Sequence, residues 1–168
     1  MTYDDVSLLI DYNYWARDRL LEAVAALTQE QFTRPLGNSF SSIRDTIAHI
    51  CDAESIWLRR WHGEQPQGFQ EPGRMADLGA AREEWAGLER EMRVTVEAMG
   101  PEGVERTIEY KDFRGAARAD VFWQMLQHVV NHGSYHRGQV TTMLRQLGAK
   151  PAQSMDLIVF YRERQNKS

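Results

Sequence analysis

Cysteine is almost absent from this chain: Cys51 stands alone among 168 residues. An internal disulfide is excluded, as is a zinc site built from several thiolates, and the count agrees with a reducing compartment. Basic charge is scarce as well. Lys and Arg number 20 against 24 Asp and Glu, a formal net charge of -4. The cations are scattered among the acids, so no positive stripe is available to a phosphate backbone and no nucleic-acid partner is expected. No apolar run approaches the roughly 18 residues that cross a bilayer, and MTYDDVSLL has no basic residue ahead of its apolar ones. The expectation is a soluble cytoplasmic protein that makes no membrane contact. Also missing are a Gly-rich phosphate loop, a G-x-S-x-G elbow and an HExxH helix. No Glu lies three residues before any histidine, which argues against the Glu-x-x-His pairs of carboxylate-bridged di-iron bundles.

What is present is helical periodicity between a few breakers. Apolar residues make up 42% of the chain, enough for one compact domain over residues 1–168 with a substantial core and no staples. From about Tyr3 to Leu27, Leu8, Leu9, Tyr12, Ala16, Leu20, Ala23 and Leu27 recur at steps of three and four, one face of a helix. Pro35 and Gly37 interrupt it. The serines of NSFSS then offer N-cap oxygens to a second helix that carries Ile43, Ile47, Ile50, Trp57 and Trp61 and stops at His62-Gly63. EQPQGFQEPG reads as a loop, and Met75, Leu78, Ala81, Trp85, Leu88, Met92, Val96 and Met99 repeat almost as heptads up to Gly100-Pro101. Residues 106–115 hold the only strand material, an extended connection or a small hairpin. A fourth helix is expected from about Arg118 to Leu147, closed by Gly148 and Pro151, and the tail from Ser154 to Arg164 should fold back onto the others. Four helices of roughly 20 to 30 residues predict an all-α, four-helix-bundle fold.

Within the fourth segment, NHGSYHRGQV places His132 and His136 four residues apart. With about 100° per residue, both point toward the apolar stripe and His128 falls roughly a quarter-turn off it. Two imidazoles at i and i+4 meet on one helix face, a spacing at which they can share a metal ion; left unliganded in a dry interior they would present several unsatisfied nitrogens. His49, at the edge of the stripe in TIAHICDAE, supplies a third imidazole from another helix. His62 adjoins the Gly63 stop and reads as a solvated helix-end residue. Cys51 faces away from His49 and reads as a small buried hydrophobe. Asp45 and Asp52 lie on the His49 side as solvated carboxylates or as acceptors for its free ring N–H.

These residues carry a resemblance. SFSSIRDTIAHICDAESIWLRR, HVVNHGSYHRGQVTTMLRQLG and the pattern of Pro151, Asp156, Ile158 and Tyr161 together resemble the DinB family, also called the DinB/YfiT-like group of putative metal-dependent proteins, over about Tyr3 to Tyr161. The resemblance implies helices in up-down-down-up order, often a homodimer, and a divalent metal on three histidines, matched here by His49, His132 and His136. The family's name refers to induction by DNA damage, but nothing in this acidic chain supports DNA contact. Three neutral imidazoles leave a cation its full charge and at least one open position, so a water or thiol brought there can lose its proton near neutral pH. Nickel and zinc are the expected ions, with iron and manganese also compatible with imidazole. Two functions follow: a metal-dependent enzyme, either a thiol S-transferase acting with a small thiol or a hydrolase, and a non-catalytic metal-binding, stress-associated protein.

Overall fold

The computed structural model describes residues 1–166. Its elements in chain order are α1 (Tyr3–Val24), α2 (Gln29–Thr33), α3 (Ile43–Trp61), a 3-10 turn at Pro72–Arg74, α4 (Leu78–Gly103), β1 (Thr107–Lys111), β2 (Ala117–Val121), α5 (Phe122–Gln146) and α6 (Leu157–Gln165). The four long helices pack in a ring, α1 against α4 and α5, and α3 against α4 and α5. Their apolar stripes meet in one core around Trp85, Tyr14, Leu20, Ile47, Ile50, Leu58, Met92 and Phe122, all fully buried. Each such side chain contributes about 1.5–3 kcal/mol by leaving water. No helix among the described residues is long and apolar enough to cross a membrane.

Local chemistry sets most helix ends. Thr2 caps α1 in a box with Asp5, Thr28 caps α2 in a box with Gln31, Ser42 caps α3 and Asp77 caps α4, each side-chain oxygen accepting one of the orphan N–H groups of the first turn. Helix α5 has no such cap. The segment that joins α4 to the hairpin accepts its first donors instead: Phe122 N–H donates to Arg106 O at 2.9 Å and Trp123 N–H to Val104 O at 3.2 Å. This is why α5 begins at Phe122 rather than near Arg118. Residues 117–121 pair antiparallel with 107–111, Tyr110 opposite Arg118, and a paired strand cannot also be helical.

Two further differences from the sequence reading are local, while the tail folds back onto α1 as expected. The first helix stops at Val24, and Thr28 starts the short α2 that buries Phe32. Helix α4 runs past the expected stop for one more turn, but Gly100 at φ 58° breaks it, a conformation open to glycine and followed at once by the N–H-free Pro101. The tail is helical, and its Phe160 packs edge-on against Tyr12 and Trp15, with ring centroids 5.8 and 5.5 Å away.

Candidate metal centre

Helices α3 and α5 bring His49, His132 and His136 together, with one ligand-capable atom of each within 4.8 Å of the others. Among the described residues no Cys, Asp or Glu joins that group. His49 Nε2 lies 3.1 Å from His132 Nε2. An ion about 2.0–2.1 Å from two imidazole nitrogens in tetrahedral geometry holds them roughly 3.3 Å apart, so the pair already stands near ligand spacing. His136 Nδ1 is 2.7 Å from Gln139 Oε1. That oxygen can only accept, so Nδ1 carries the proton and the Nε2 lone pair is left for a cation. The donor set fits a divalent ion that accepts imidazole.

Electrostatics keep these rings unprotonated. Burial, followed by the charge of His136, pushes His49 down to about 4; burial, followed by His136, His49 and His128, pushes His132 down to about 3. Burial also lowers His136, against the opposing hydrogen bond of Gln139. Removing an imidazolium charge from water is costly and like charges within a few ångströms repel, so at neutral pH all three rings are uncharged, and the 3.1 Å between the Nε2 atoms of His49 and His132 is that of a neutral N–H···N pair.

The surroundings are aromatic. His49 is sandwiched between Phe40, stacked at 4.0 Å, and Phe69, stacked at 5.1 Å. Tyr135 meets His136 edge-on at 5.0 Å. Phe69 sits on the loop between α3 and the 3-10 turn, and Asp52 anchors that loop by accepting from Gln70 N–H at 3.2 Å and from Arg74 Nη2 at 2.7 Å. Asp52 is therefore neither solvated nor an acceptor for His49. It is buried and ion-paired, and it holds the loop whose Phe69 stacks on His49. Asp45 pairs with Arg44 at 2.9 Å and likewise has no bond to His49.

A second polar cluster locks α5 against α1 and α3. Glu54 Oε1 accepts from Asn13 Nδ2 at 2.9 Å and Oε2 from Tyr14 O–H at 3.2 Å, while Arg137 Nη1 donates to Asn13 Oδ1 at 2.8 Å and Nη2 to Ser134 Oγ at 3.0 Å. A Cβ at position 133 would stand 2.8 Å from Arg137 Nη1 and 3.1 Å from Asn13 Oδ1, so the glycine in NHGSYHRGQ makes room for the guanidinium. The histidines of that motif face α3 across the site, and its arginine faces α1.

The other two histidines stay outside the triad. His128 is exposed, 5.5 Å from Trp57 and 6.1 Å from His132 by ring centroids. His62 is exposed yet not merely solvated: its Nε2 lies 3.0 Å from Thr95 Oγ1, tying the end of α3 to α4. Cys51 is fully buried in the core, and its thiol is pushed up by that burial. Gln139, Phe40 and Phe69 escaped the sequence reading. Only Gln139 left a signal, its i+3 spacing from His136.

The sequence model described as DinB family matches residues 2–166. Protein DinB of Bacillus subtilis (strain 168) is 25% identical over 145 residues, spanning 83% of this chain and 84% of that protein. In fold, a crystal structure of a DinB-like protein from Bacillus cereus ATCC 10987 superposes with a TM-score of 0.59 at 18% identity, covering 87% of this chain and 95% of that one.

Proposed function

The chain belongs to the DinB family, and from that premise we propose that His49, His132 and His136 hold one divalent ion and that the protein uses it to activate a small thiol for transfer to an electrophile. The observation that supports the reading is the convergence of three unprotonated imidazoles with no fourth protein donor among the described residues. Nickel or zinc is the ion the donor set favours, with iron and manganese as alternatives. Bound there, it would supply a full positive charge that lowers the pKa of an approaching thiol.

The chain's own residues supply the rest. Gln139 fixes the tautomer and ring plane of His136. Phe40 and Phe69 keep His49 in place and shed water from one side of the triad. Tyr135, 66% exposed, stands at the surface beside His136. Thiol transfer itself follows the family resemblance. A non-catalytic ion is the second reading, favoured by the lack of any carboxylate positioned as a general base within the triad.

Cobalt substitution separates the two. In the thiol reading, glutathione, cysteine, mycothiol or bacillithiol adds a sulfur-to-metal charge-transfer band and is consumed with a chromogenic electrophile faster than in His136→Ala. An unchanged spectrum with every thiol leaves the non-catalytic reading.

A further inference from the structure

The C-terminal part of α3 and the hairpin enclose a groove of about 620 Å³, lined by Arg60, Gln65, Tyr110, Lys111 and Arg118 among others. Its size is that of a small-molecule site. Arg60 forms its inner wall. That side chain is only 6% exposed, its guanidinium lies 4.8 Å from the Trp57 ring, 4.8 Å from Tyr110 and 4.9 Å from Phe113, and its Nε is buried without a hydrogen-bond partner.

The other buried arginines show what is missing: Arg137 also has an unpartnered Nε, but its terminal nitrogens are held, and those of Arg60 are not. Arg17 pairs with Asp18 and Glu89, and Arg137 is held by Asn13 and Ser134 near Glu54. Among the described residues Arg60 has neither an ion pair nor a hydrogen bond. The Asp112 carboxylate acts on Arg60 from a distance but makes no ion pair with it; a buried guanidinium without an anion in contact is expensive, and ring faces offset only part of its lost hydration. The neighbouring charges are committed elsewhere or lie outside: Glu64 pairs with Arg59, Arg118 pairs with Asp112, and Glu109 and Lys111 are exposed strand residues of opposite sign.

The groove is not lined by the histidines, but ring contacts lead from Arg60 to them. Phe113 meets Phe69 at 5.9 Å, and Phe69 stacks on His49; on the other side Trp57 meets His128, which adjoins His132. Arg60 stands three helical turns beyond His49 on α3, roughly 16 Å of rise, and arginine side chains on a helix lean back toward its N-terminus. Phe69 and Phe113, 57% and 49% exposed, bridge the interval.

We propose that Arg60 is the anion anchor of a substrate subsite: it takes the carboxylate of a small organic molecule whose flat or apolar body lies along Trp57, Tyr110, Phe113 and Phe69 toward the three histidines. The planar fork of guanidinium suits a carboxylate in two-point contact. The orientation toward the triad rests on the metal reading above; the anion site does not.

Benzoate and its uncharged isostere benzamide, titrated calorimetrically into the metal-stripped full chain, test the proposal. Benzoate should bind saturably and at least tenfold more tightly than benzamide. Arg60→Met should lose that preference, Arg60→Lys should retain part of it, and His136→Ala should bind benzoate as the wild type does. Equal binding of the two ligands by the wild type would overturn the proposal even if Arg60→Met fails to fold, as would unchanged benzoate affinity in a folded Arg60→Met. A chain that prefers benzoate but carries no metal would keep the anion site and remove only its link to the histidines.

Discussion

Two polar clusters share α3 and α5, and they differ in how their polar atoms are answered. In the Asn13–Tyr14–Glu54–Arg137 cluster, side chains of opposite need meet inside the core: both Glu54 oxygens accept, and both terminal nitrogens of Arg137 donate. In the histidine cluster, like meets like, with His49 and His132 presenting Nε2 to Nε2. The first arrangement answers every terminal oxygen and nitrogen of Glu54 and Arg137 from within the chain, leaving only Arg137 Nε without a partner, and reads as a lock between helices. In the second, the nitrogens of three neutral rings converge with no carboxylate among the described residues to balance a proton, the arrangement that the proposed divalent ion would fill. Complementarity within the chain marks structure, and its absence at a converging site marks function.

Breaking the lock should have the largest effect on stability. Removing one member of a buried charged network strands the others, so Arg137→Ala or Glu54→Ala should cost about 3–5 kcal/mol, which at about 2–4 °C per kcal/mol for a chain of this size lowers Tm by roughly 10 °C in thermal unfolding of the metal-free protein. Gly133→Ala, which crowds the same guanidinium, should cost about 1–3 kcal/mol. By contrast, His132→Ala and His136→Ala should leave the metal-free Tm nearly unchanged and abolish stoichiometric metal. A metal-free His136→Ala protein as unstable as Arg137→Ala would erase the distinction between the clusters.

A smaller effect is expected at the edge of the triad. Gln139→Leu removes the acceptor that orients His136 without touching a ligand, and competition with a chelator should show metal affinity about 10–100-fold weaker in an equally stable fold.

Acid should distinguish the clusters by sign. The folded pKa values of His49 and His132, about 4 and about 3, lie below the unfolded value of about 6.5, so the unfolded chain binds protons more readily. Their contribution to metal-free stability is fully present above about pH 6.5 and is lost as pH falls from there toward the folded values. His132→Ala should lose less stability over that window in urea titrations. Burial raises the Glu54 carboxyl instead, so protonating it favours the fold, and Glu54→Gln should leave the histidine-linked acid loss in place. The smallest effect is expected for His128→Ala, which should retain its metal.

Legibility followed the range of the interactions. Helical periodicity and the Ser42 and Gly63 boundaries are local signals, and they located all four long helices. The pairing of His132 with His136 is also local, one turn apart on one stripe. Strand β2 was hidden because AARADV carries no alternation that separates it from a helix start; only its pairing with TIEYK makes it a strand. Asp52 could not be assigned, because its partner Arg74 reaches it across a loop whose path the sequence leaves open. The lock was invisible for the same reason: Asn13, Glu54 and Arg137 are single polar residues on three helices, and nothing in their own segments says that they meet.

The measurement closest to the central claim is the metal content of the untagged protein, purified without chelator and set beside that of His136→Ala and Glu54→Gln by elemental analysis. The account predicts one divalent ion per chain in the wild type and in Glu54→Gln, and none in His136→Ala. Equal metal in the wild type and His136→Ala, or none in either after reconstitution with nickel or zinc, would contradict it.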